Sequence, residues 1–526
     1  MTNRRPITDW LLLVAVSLFF FLWKLSSFGL IGADEPRYAQ VAREMLERRD
    51  WVTPTLNGSP WLEKPPLYYW QAIVAYKIFG VSDWAARLPS VFDAFLMVFG
   101  VYWLLRGFRS GVELDGAIMV ATTAGAVGFA RAASMDMPLA ATFTIALLSW
   151  SRWRESGEKT YLAAFYVFLA LAMLAKGPVA PFLALAVIAV FALVRRDAAI
   201  IPATVWAPGV GLFSAVALPW YVLVQRRNPG FFREFILEHN LARFGTNLYH
   251  HSEPFWYFLP VALLGWVPWA VLVVAAVWLA AKNKPAHAAH SFPWFLLIWT
   301  AVVVVFFSLS QSKLPGYILP AIPAGALVVS ELVHGRLAEA PSRRTRAIVF
   351  SLHGALLGAL VFSALLIPSF ILAHRIPREP GAVPLAAAAA IAAATLILLL
   401  RFGLDSVGRL TLVPLVLAVA IALGRGAGPL DETLSARPVA AELARVDPHH
   451  LPVAVFLVPR ETEFGLAFYR NQRIVRYELD QVPAGEHLVV AEAGFRQSIA
   501  QKSGRRPVYL GGVRRQKLEY FYVPPR

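Results

Sequence analysis

The sequence predicts an all-α, polytopic membrane domain over residues 1–427 and a small α/β soluble domain over 428–526. Three observations carry this. The chain of 526 residues has a mean hydropathy of +0.56 and only 16% charged residues, far from the composition of soluble globular proteins. Apolar runs such as Trp10–Trp23, Val179–Val194, Trp256–Ala281 and Ala347–Ala373 are long enough, with their flanks, to cross a hydrocarbon core about 30 Å thick. Beyond Gly428 the pattern changes to short apolar runs alternating with helical periodicity.

Taken in order, spans are expected near 10–30, 84–105, 114–130, 137–151, 161–175, 178–194, 199–224, 256–281, 292–310, 314–333, 347–373, 382–400 and 409–424, thirteen in all. The first is expected to stay in the membrane, since it continues into Lys24–Leu30 without a small-residue cleavage site. With Arg4 and Arg5 on the cytoplasmic side, alternate short connections hold Arg106 and Arg109, then Arg152, Arg154 and Lys159, then Arg195 and Arg196, and later Arg336, Arg343, Arg344 and Arg346. The opposite connections hold fewer cations, so the positive-inside rule favours that orientation. Two long loops, 31–83 and 225–255, then lie on the outer face together with the C-terminal domain. In that domain Val453–Val458, Leu488–Ala491, Val508–Leu510 and Leu518–Val523 read as strands, and 439–446, 464–470 and 495–502 as helices.

The net charge of +16 suits a membrane surface or a phosphate-rich partner and implies no nucleic acid. The absence of cysteine excludes disulfides and thiolate-bound metals. Alanine-rich spans read as helix packing.

The first outer loop opens with GLIGADEPRYAQVAREMLERRDW. Asp34 sits where an N-cap belongs and Pro36 falls in the first turn. Tyr38, Val41, Met45 and Leu46 share a face opposite Arg37, Arg43, Glu44 and Glu47, the pattern of an amphipathic helix lying along the membrane surface. Helix capping alone explains Asp34 equally well. The argument for more is its company: WLEKPPLYYW (Trp61–Trp70), SMDMP (Ser134–Pro138), LAKGP (Leu174–Pro178), LEHNLARF (Leu237–Phe244) and SKLPGYILP (Ser312–Pro320) all fall on the same face. A transporter or flippase would place its charges or broken segments mid-span, often in repeated halves. Here they gather at one interface.

In this order the motifs resemble the GT-C membrane glycosyltransferases of glycosyltransferase family 83, whose best-known members transfer 4-amino-4-deoxy-L-arabinose from undecaprenyl phosphate to lipid A. The resemblance implies a GT-C fold in a bacterial inner membrane, a polyprenyl-phosphate sugar as donor, lipid A as acceptor, and an active site at the outer membrane–water boundary. Breaking the bond between an anomeric carbon and a lipid phosphate leaves an anion, so the site needs fixed cations. Lys64, Lys176, Arg243 and Lys313 are four such cations, each next to a membrane boundary and expected to bind substrate; the resemblance assigns Lys64, Arg243 and Lys176 to the carrier phosphate, with Tyr317 as a supporting donor. Each of these cations also has a structural reading, because Lys and Arg at helix ends snorkel toward headgroups. Asp34 and Asp136 are the candidate catalytic acids. For an alcohol acceptor Asp34 would remove the hydroxyl proton; for a phosphate acceptor it would position Arg37 or Lys64 or neutralise the sugar's ammonium. Glu35, Arg37, Tyr38 and Tyr69 complete the expected substrate-binding set, although interfacial anchoring explains the aromatics as well. No cofactor is required for this chemistry. Family members suggest a divalent-ion site, zinc, at Glu63 and His239, and two ligands are too few to specify a metal. SKLPGY and EHNLARF depart from the family pattern, so transfer to protein hydroxyls or another envelope glycan is the runner-up.

Overall fold

The computed structural model describes residues 6–235, 238, 253–282, 291–337, 342–373, 381–447 and 449–526. The chain enters as helix α1 (Pro6–Ser17), which relaxes into a π turn at Leu18–Leu22, and then forms α2 (Asp34–Arg48). A short hairpin of β1 (Thr55–Leu56) and β2 (Ser59–Pro60) turns on Asn57 and Gly58, both at positive φ, the residue pair that suits such a turn. The membrane domain continues through α3 (Leu67–Phe79), α4 (Asp83–Phe108), α5 (Glu113–Ala121), α6 (Ala124–Ala130), α7 (Asp136–Ser156), α8 (Lys159–Lys176), α9 (Val179–Arg195), α10 (Ile200–Thr204) and α11 (Ala207–Arg227). It closes with α12 (Phe258–Trp266), α13 (Ala270–Lys282), α14 (Ser291–Leu309), a 3-10 turn at Pro315–Ala321 leading into α15 (Ile322–Val333), then α16 (Arg343–Ala373), α17 (Ala382–Phe402) and α18 (Val407–Leu434).

Among the described residues eight helices are long and apolar enough to cross a membrane alone, and a ninth span arises if α12 and α13 count as one. Every expected span coincides at least in part with a helix or a broken helix, although the first, expected to reach residue 30, leaves the helix after Leu22, and the chain is an integral membrane protein. Three spans read as continuous are broken. The segment 114–130 divides at Thr122–Thr123, where the Thr123 hydroxyl accepts from Ala126 N and starts a new helix. The segment 199–224 divides at Val205–Trp206, just before Pro208. The segment 256–281 bends by 114° between α12 and α13, at Pro268, which has no N–H to continue the ladder.

Inside the bundle lipid offers no hydrogen bonds, so the buried indoles find protein acceptors. Trp150 donates to the Thr204 hydroxyl (3.0 Å), Trp269 to the Thr122 hydroxyl (3.0 Å) and Trp299 to the Pro320 carbonyl (2.9 Å). The alanine-rich spans pack as expected. A Cβ added at Gly354 or Gly358 of α16 would lie 2.8 or 2.5 Å from the Ala392 or Ala388 carbonyl of α17, a close backbone approach that small residues permit.

The C-terminal α/β region holds α19 (Arg437–Val446), β3 (Val453–Phe456), α20 (Arg460–Arg470), β4 (Val475–Arg476), β5 (His487–Glu492), α21 (Arg496–Ser503), β6 (Val508–Val513) and β7 (Leu518–Val523). The sheet order is β4-β3-β5-β7-β6; β3 runs parallel to β4 and β5, and β7 runs antiparallel to β5 and β6. All four expected strands are present, and the two-residue β4 is an addition.

The expectation for α2 needs correction. It begins at Asp34 with Ala33 in the cap position, and the Asp34 side chain caps nothing. Nor does it lie open along a surface. Glu35, Tyr38, Val41, Ala42 and Met45 are buried, with α3 on one side and α20 on the other. Its approach from α1 is held by three arginines that together bind every carbonyl from Trp23 to Gly29. Arg131 takes Trp23 and Lys24, Arg87 takes Leu25, Phe28 and Gly29, and Arg437 takes Ser26 and Ser27, at 2.8–3.4 Å.

Arg87 also forms a buried ion pair with Glu35 (2.8 Å), and its side chain is fully enclosed. Replacing it by alanine strands a buried carboxylate, so Arg87→Ala should cost about 3–5 kcal/mol. Thermal unfolding of the purified protein checks this, and a melting temperature within a degree or two of the parent would contradict it.

Candidate active site

The first turn of α2 sorts its side chains by helical spacing. Glu35 points inward, where it accepts from Ile31 N (2.8 Å), Ala133 N (2.8 Å) and Arg87, so both its oxygens are engaged by the scaffold. Asp34, at 54% side-chain exposure, faces outward and pairs through Oδ1 with Arg37 at 2.5 Å. The Arg37 guanidinium lies 5.1 Å from the Trp61 ring, 5.2 Å from Tyr38 and 5.7 Å from Phe464 of α20, an aromatic cage drawn from three segments. Its Nε is buried without a hydrogen-bond partner. Tyr38 meets Tyr68 edge-on at 6.3 Å, and Tyr68 meets Tyr69 at 5.9 Å; the buried Tyr69 hydroxyl has no hydrogen-bond partner.

Burial raises the Tyr38 phenol far above its ordinary value, and the charges of Asp34 and Asp136 add to the rise against the pull of Arg37. Both candidate acids therefore act on one hydroxyl. Burial likewise raises Tyr69, so both phenols stay protonated and can donate. Burial disfavours the charged form of Arg37, but Tyr38, Asp34 and Glu63 outweigh it, and the net shift is upward.

A second ion pair joins two helix ends. Asp136 opens α7 and Lys176 closes α8, each at the end where the helix dipole favours its sign, and the Lys176 ammonium donates to Asp136 Oδ1. Lys176 Nζ also sits 4.8 Å over the Tyr317 ring. Gly316 packs against this pair so tightly that a Cβ there would lie 2.7 Å from the Asp136 carboxyl carbon. Like Asp34, Asp136 caps nothing with its side chain; Met135 holds the cap position.

Between the two pairs runs the segment Trp61–Pro66. Trp61 faces Arg37, while Leu62 packs with Leu139 and Leu174, which neighbour Asp136 and Lys176 in the chain. Glu63 and Lys64 are half-buried here, ahead of the enclosed Pro65 and Pro66. Lys313 belongs to the loop that carries Gly316 and Tyr317. It is 7% exposed and donates to the Ser310 (2.6 Å) and Glu253 (2.9 Å) carbonyls, which fasten its own loop. Arg243 and His239 lie outside the described residues. Among the described residues no three His, Cys, Asp or Glu side chains are grouped to hold a metal ion. Glu234 was not singled out by the sequence; burial raises it, with Glu238 and Glu63 adding to the rise against a lowering influence of the Leu62 backbone, which places further acid beside this segment.

Three more residues here escaped the sequence. Arg87 carried one available sign, a charge near the start of an apolar span. Gly316 stood in view within the SKLPGY motif. Phe464 reaches the cage from a separate domain and had no local signal.

A family model described as dolichyl-phosphate-mannose-protein mannosyltransferase matches residues 9–233. The undecaprenyl phosphate-alpha-4-amino-4-deoxy-L-arabinose arabinosyl transferase of Yersinia enterocolitica is 30% identical over 326 residues, 60% of this chain, and the match spans 58% of that relative's length. Among solved structures, ArnT from Cupriavidus metallidurans bound to undecaprenyl phosphate superposes with a TM-score of 0.80 at 23% identity, covering 98% of each chain. Its apo form gives 0.74 at 24% identity, again over 98% of each chain. The fold is therefore the GT-C fold of ArnT, carried over nearly the whole chain.

Because a Cβ at position 316 collides with Asp136, Gly316→Ala should push the carboxylate off Lys176 or shift the 3-10 turn, at an overpacking cost of about 1–3 kcal/mol. Thermal unfolding of this variant beside Gly211→Ala, where a Cβ meets nothing within 4 Å, reads the effect. Equal melting temperatures would show that the contact is easily relieved.

Proposed function

We propose that this protein is an inner-membrane glycosyltransferase that moves a sugar, 4-amino-4-deoxy-L-arabinose, from undecaprenyl phosphate to lipid A at the periplasmic face. The observation that carries the reading is the convergence of two carboxylate–cation pairs, Asp34–Arg37 and Asp136–Lys176, on the segment that bears Lys64. The shared fold with ArnT and the likeness to curated arabinosyl transferases supply the donor and the sugar. The positive-inside distribution supports placing this face outward.

In the reaction the anomeric C–O bond to the lipid phosphate breaks, the phosphate departs with the bonding pair, and an acceptor oxygen forms the new bond from the opposite side. Lys64 and Lys176, joined by Arg243, stabilise the departing anion. Lys176 is held ready by Asp136 and the face of Tyr317. A lipid A phosphate is already an anionic nucleophile, so Asp34 has no proton to remove. Its exposed carboxylate, fixed by Arg37, instead meets the sugar's ammonium, while the protonated Tyr38 and Tyr69 donate to the sugar. Glu35 and Lys313 serve as scaffold in this scheme. Catalysis needs no metal, and a divalent ion at Glu63 and His239 would have a structural role.

A second acceptor class, protein hydroxyls, is favoured by the match of residues 9–233 to the protein mannosyltransferase model. There Asp34 would serve as general base.

Asp34→Asn and Lys64→Ala should each reduce transfer by at least about 100-fold while the protein still inserts and folds. Full activity in both variants would refute the site. Mass spectrometry of lipid A from cells with and without the gene settles the substrate. An aminopentose increment that depends on the gene supports the proposal, and an unchanged lipid A moves the acceptor elsewhere.

A further inference from the structure

We infer that a groove between α8, α9, α10 and α11 is a binding site for one acyl chain of an anionic phospholipid, whose headgroup rests on Lys159 and Arg196. It stands apart from the candidate active site and does not rest on the proposed reaction.

The groove encloses about 360 Å³ and its walls include Phe165, Leu169, Leu185, Ile188, Val205 and Phe213. Two lining residues are polar, and both are satisfied within the protein. The Thr204 hydroxyl donates to the Ile200 carbonyl (2.8 Å) and accepts from Trp150, and the Tyr166 hydroxyl donates to the Thr204 carbonyl (2.8 Å) and accepts from Trp206 N (3.3 Å). With no polar atom left to hold water, an apolar filling is favoured. Val205, 68% exposed, stands at the open side.

Charge at one end selects the occupant. Lys159 Nζ lies 5.6 Å over the ring of Trp206, next in the chain to Val205, and 5.5 Å over Trp153. Arg195 and Arg196 close α9 on the same side, both exposed. Of the nearby acids, Asp197 is engaged by Arg154 at 3.7 Å, while Glu155 and Glu158 are exposed, and the cations Arg154, Lys159, Arg195 and Arg196 outnumber them. Juxtamembrane cations of this kind attract anionic lipid.

Depth fits one leaflet. From Lys159 to Leu169 along α8 is about 15 Å at the helical rise, half of a hydrocarbon core of about 30 Å. Lys176, at the candidate active site, is about 26 Å from Lys159 along the same helix. The groove and its cations thus belong to the leaflet away from the reacting groups.

The test uses the full-length protein in nanodiscs of mixed phosphatidylcholine and phosphatidylglycerol, the latter supplying the anionic headgroup, released for native mass spectrometry. The parent should retain one phosphatidylglycerol in preference to phosphatidylcholine by about ten-fold. Val205→Trp, which fills the groove from an exposed position, should lose the retained lipid with an unchanged melting temperature. The double substitution Lys159→Ala with Arg196→Ala should keep a lipid but lose the preference. Retention of phosphatidylglycerol by Val205→Trp at the parent level would overturn the proposal, as would absence of a headgroup preference in the parent. Displacement of the retained lipid by equimolar undecaprenyl phosphate would also overturn it, since the groove would then belong to the carrier.

Discussion

The buried pair of Arg87 and Glu35 is the contact on which the rest of the outer face depends. Glu35 receives two backbone N–H groups and the Arg87 guanidinium, and Arg87 in turn binds three carbonyls of the turn that leads into α2. An ion pair removed from water is stable only when its remaining donors and acceptors are met, and here they are met by backbone. The outcome is positional. Asp34 precedes Glu35, so anchoring Glu35 fixes the point from which the exposed carboxylate projects, while Asp34 itself bears no structural load beyond its bond to Arg37. Two adjacent acids thus divide the work, one inside and one outside.

The candidate site keeps its opposite charges paired within the protein. Unpaired, each cation at a membrane boundary would hold water or lipid headgroups and would need reorganising on binding. Paired with Asp136 and set over Tyr317, Lys176 is already oriented, so any anion that reached it would compete with one carboxylate rather than with solvent. Gly316 lets the 3-10 turn approach that carboxylate, so the second pair is defined by three segments distant in sequence: the start of α7, the end of α8 and the turn before α15.

Legibility in the sequence followed the range of the interaction. The spans, the four longer strands and the Asp34–Arg37 spacing are local patterns, and local patterns were readable. The breaks at Thr122–Thr123 and Pro268 were visible as residues, yet hydropathy averaged over a window smooths such breaks away. The reading of α2 as a surface helix failed because its apolar face is buried and part of its polar face is met by α20 and the residue after it, more than 400 residues further on: Arg43 donates to the Phe468 carbonyl and Asn471 to Glu47. Lys313 shows the limit from the other side. Its motif places it at a membrane boundary, and only coordinates reveal that its ammonium donates to the Ser310 and Glu253 carbonyls. Arg243 and His239 fall outside the described residues and add nothing to this comparison.

The C-terminal domain is bound to the same stretch of chain that the arginines hold. Gly29 N donates to Asp431, Leu30 N to the Tyr469 hydroxyl, and Ile31 bridges to Ser435, so three consecutive residues before Asp34 are tied to the last long helix and the domain beyond it. A Cβ at Gly29 would lie 2.3 Å from the Ser435 hydroxyl and 2.4 Å from that of Tyr469, so only glycine admits this approach. Arg437 completes the junction with Asp83 and Asp431. The domain thus contacts both sides of the Ala33–Asp34 corner, by backbone at Gly29–Ile31 and at Arg37 by the ring of Phe464. Through Phe464 the domain supplies one wall of the candidate site, and the junction at Gly29–Ile31 ties that wall to the chain entering α2.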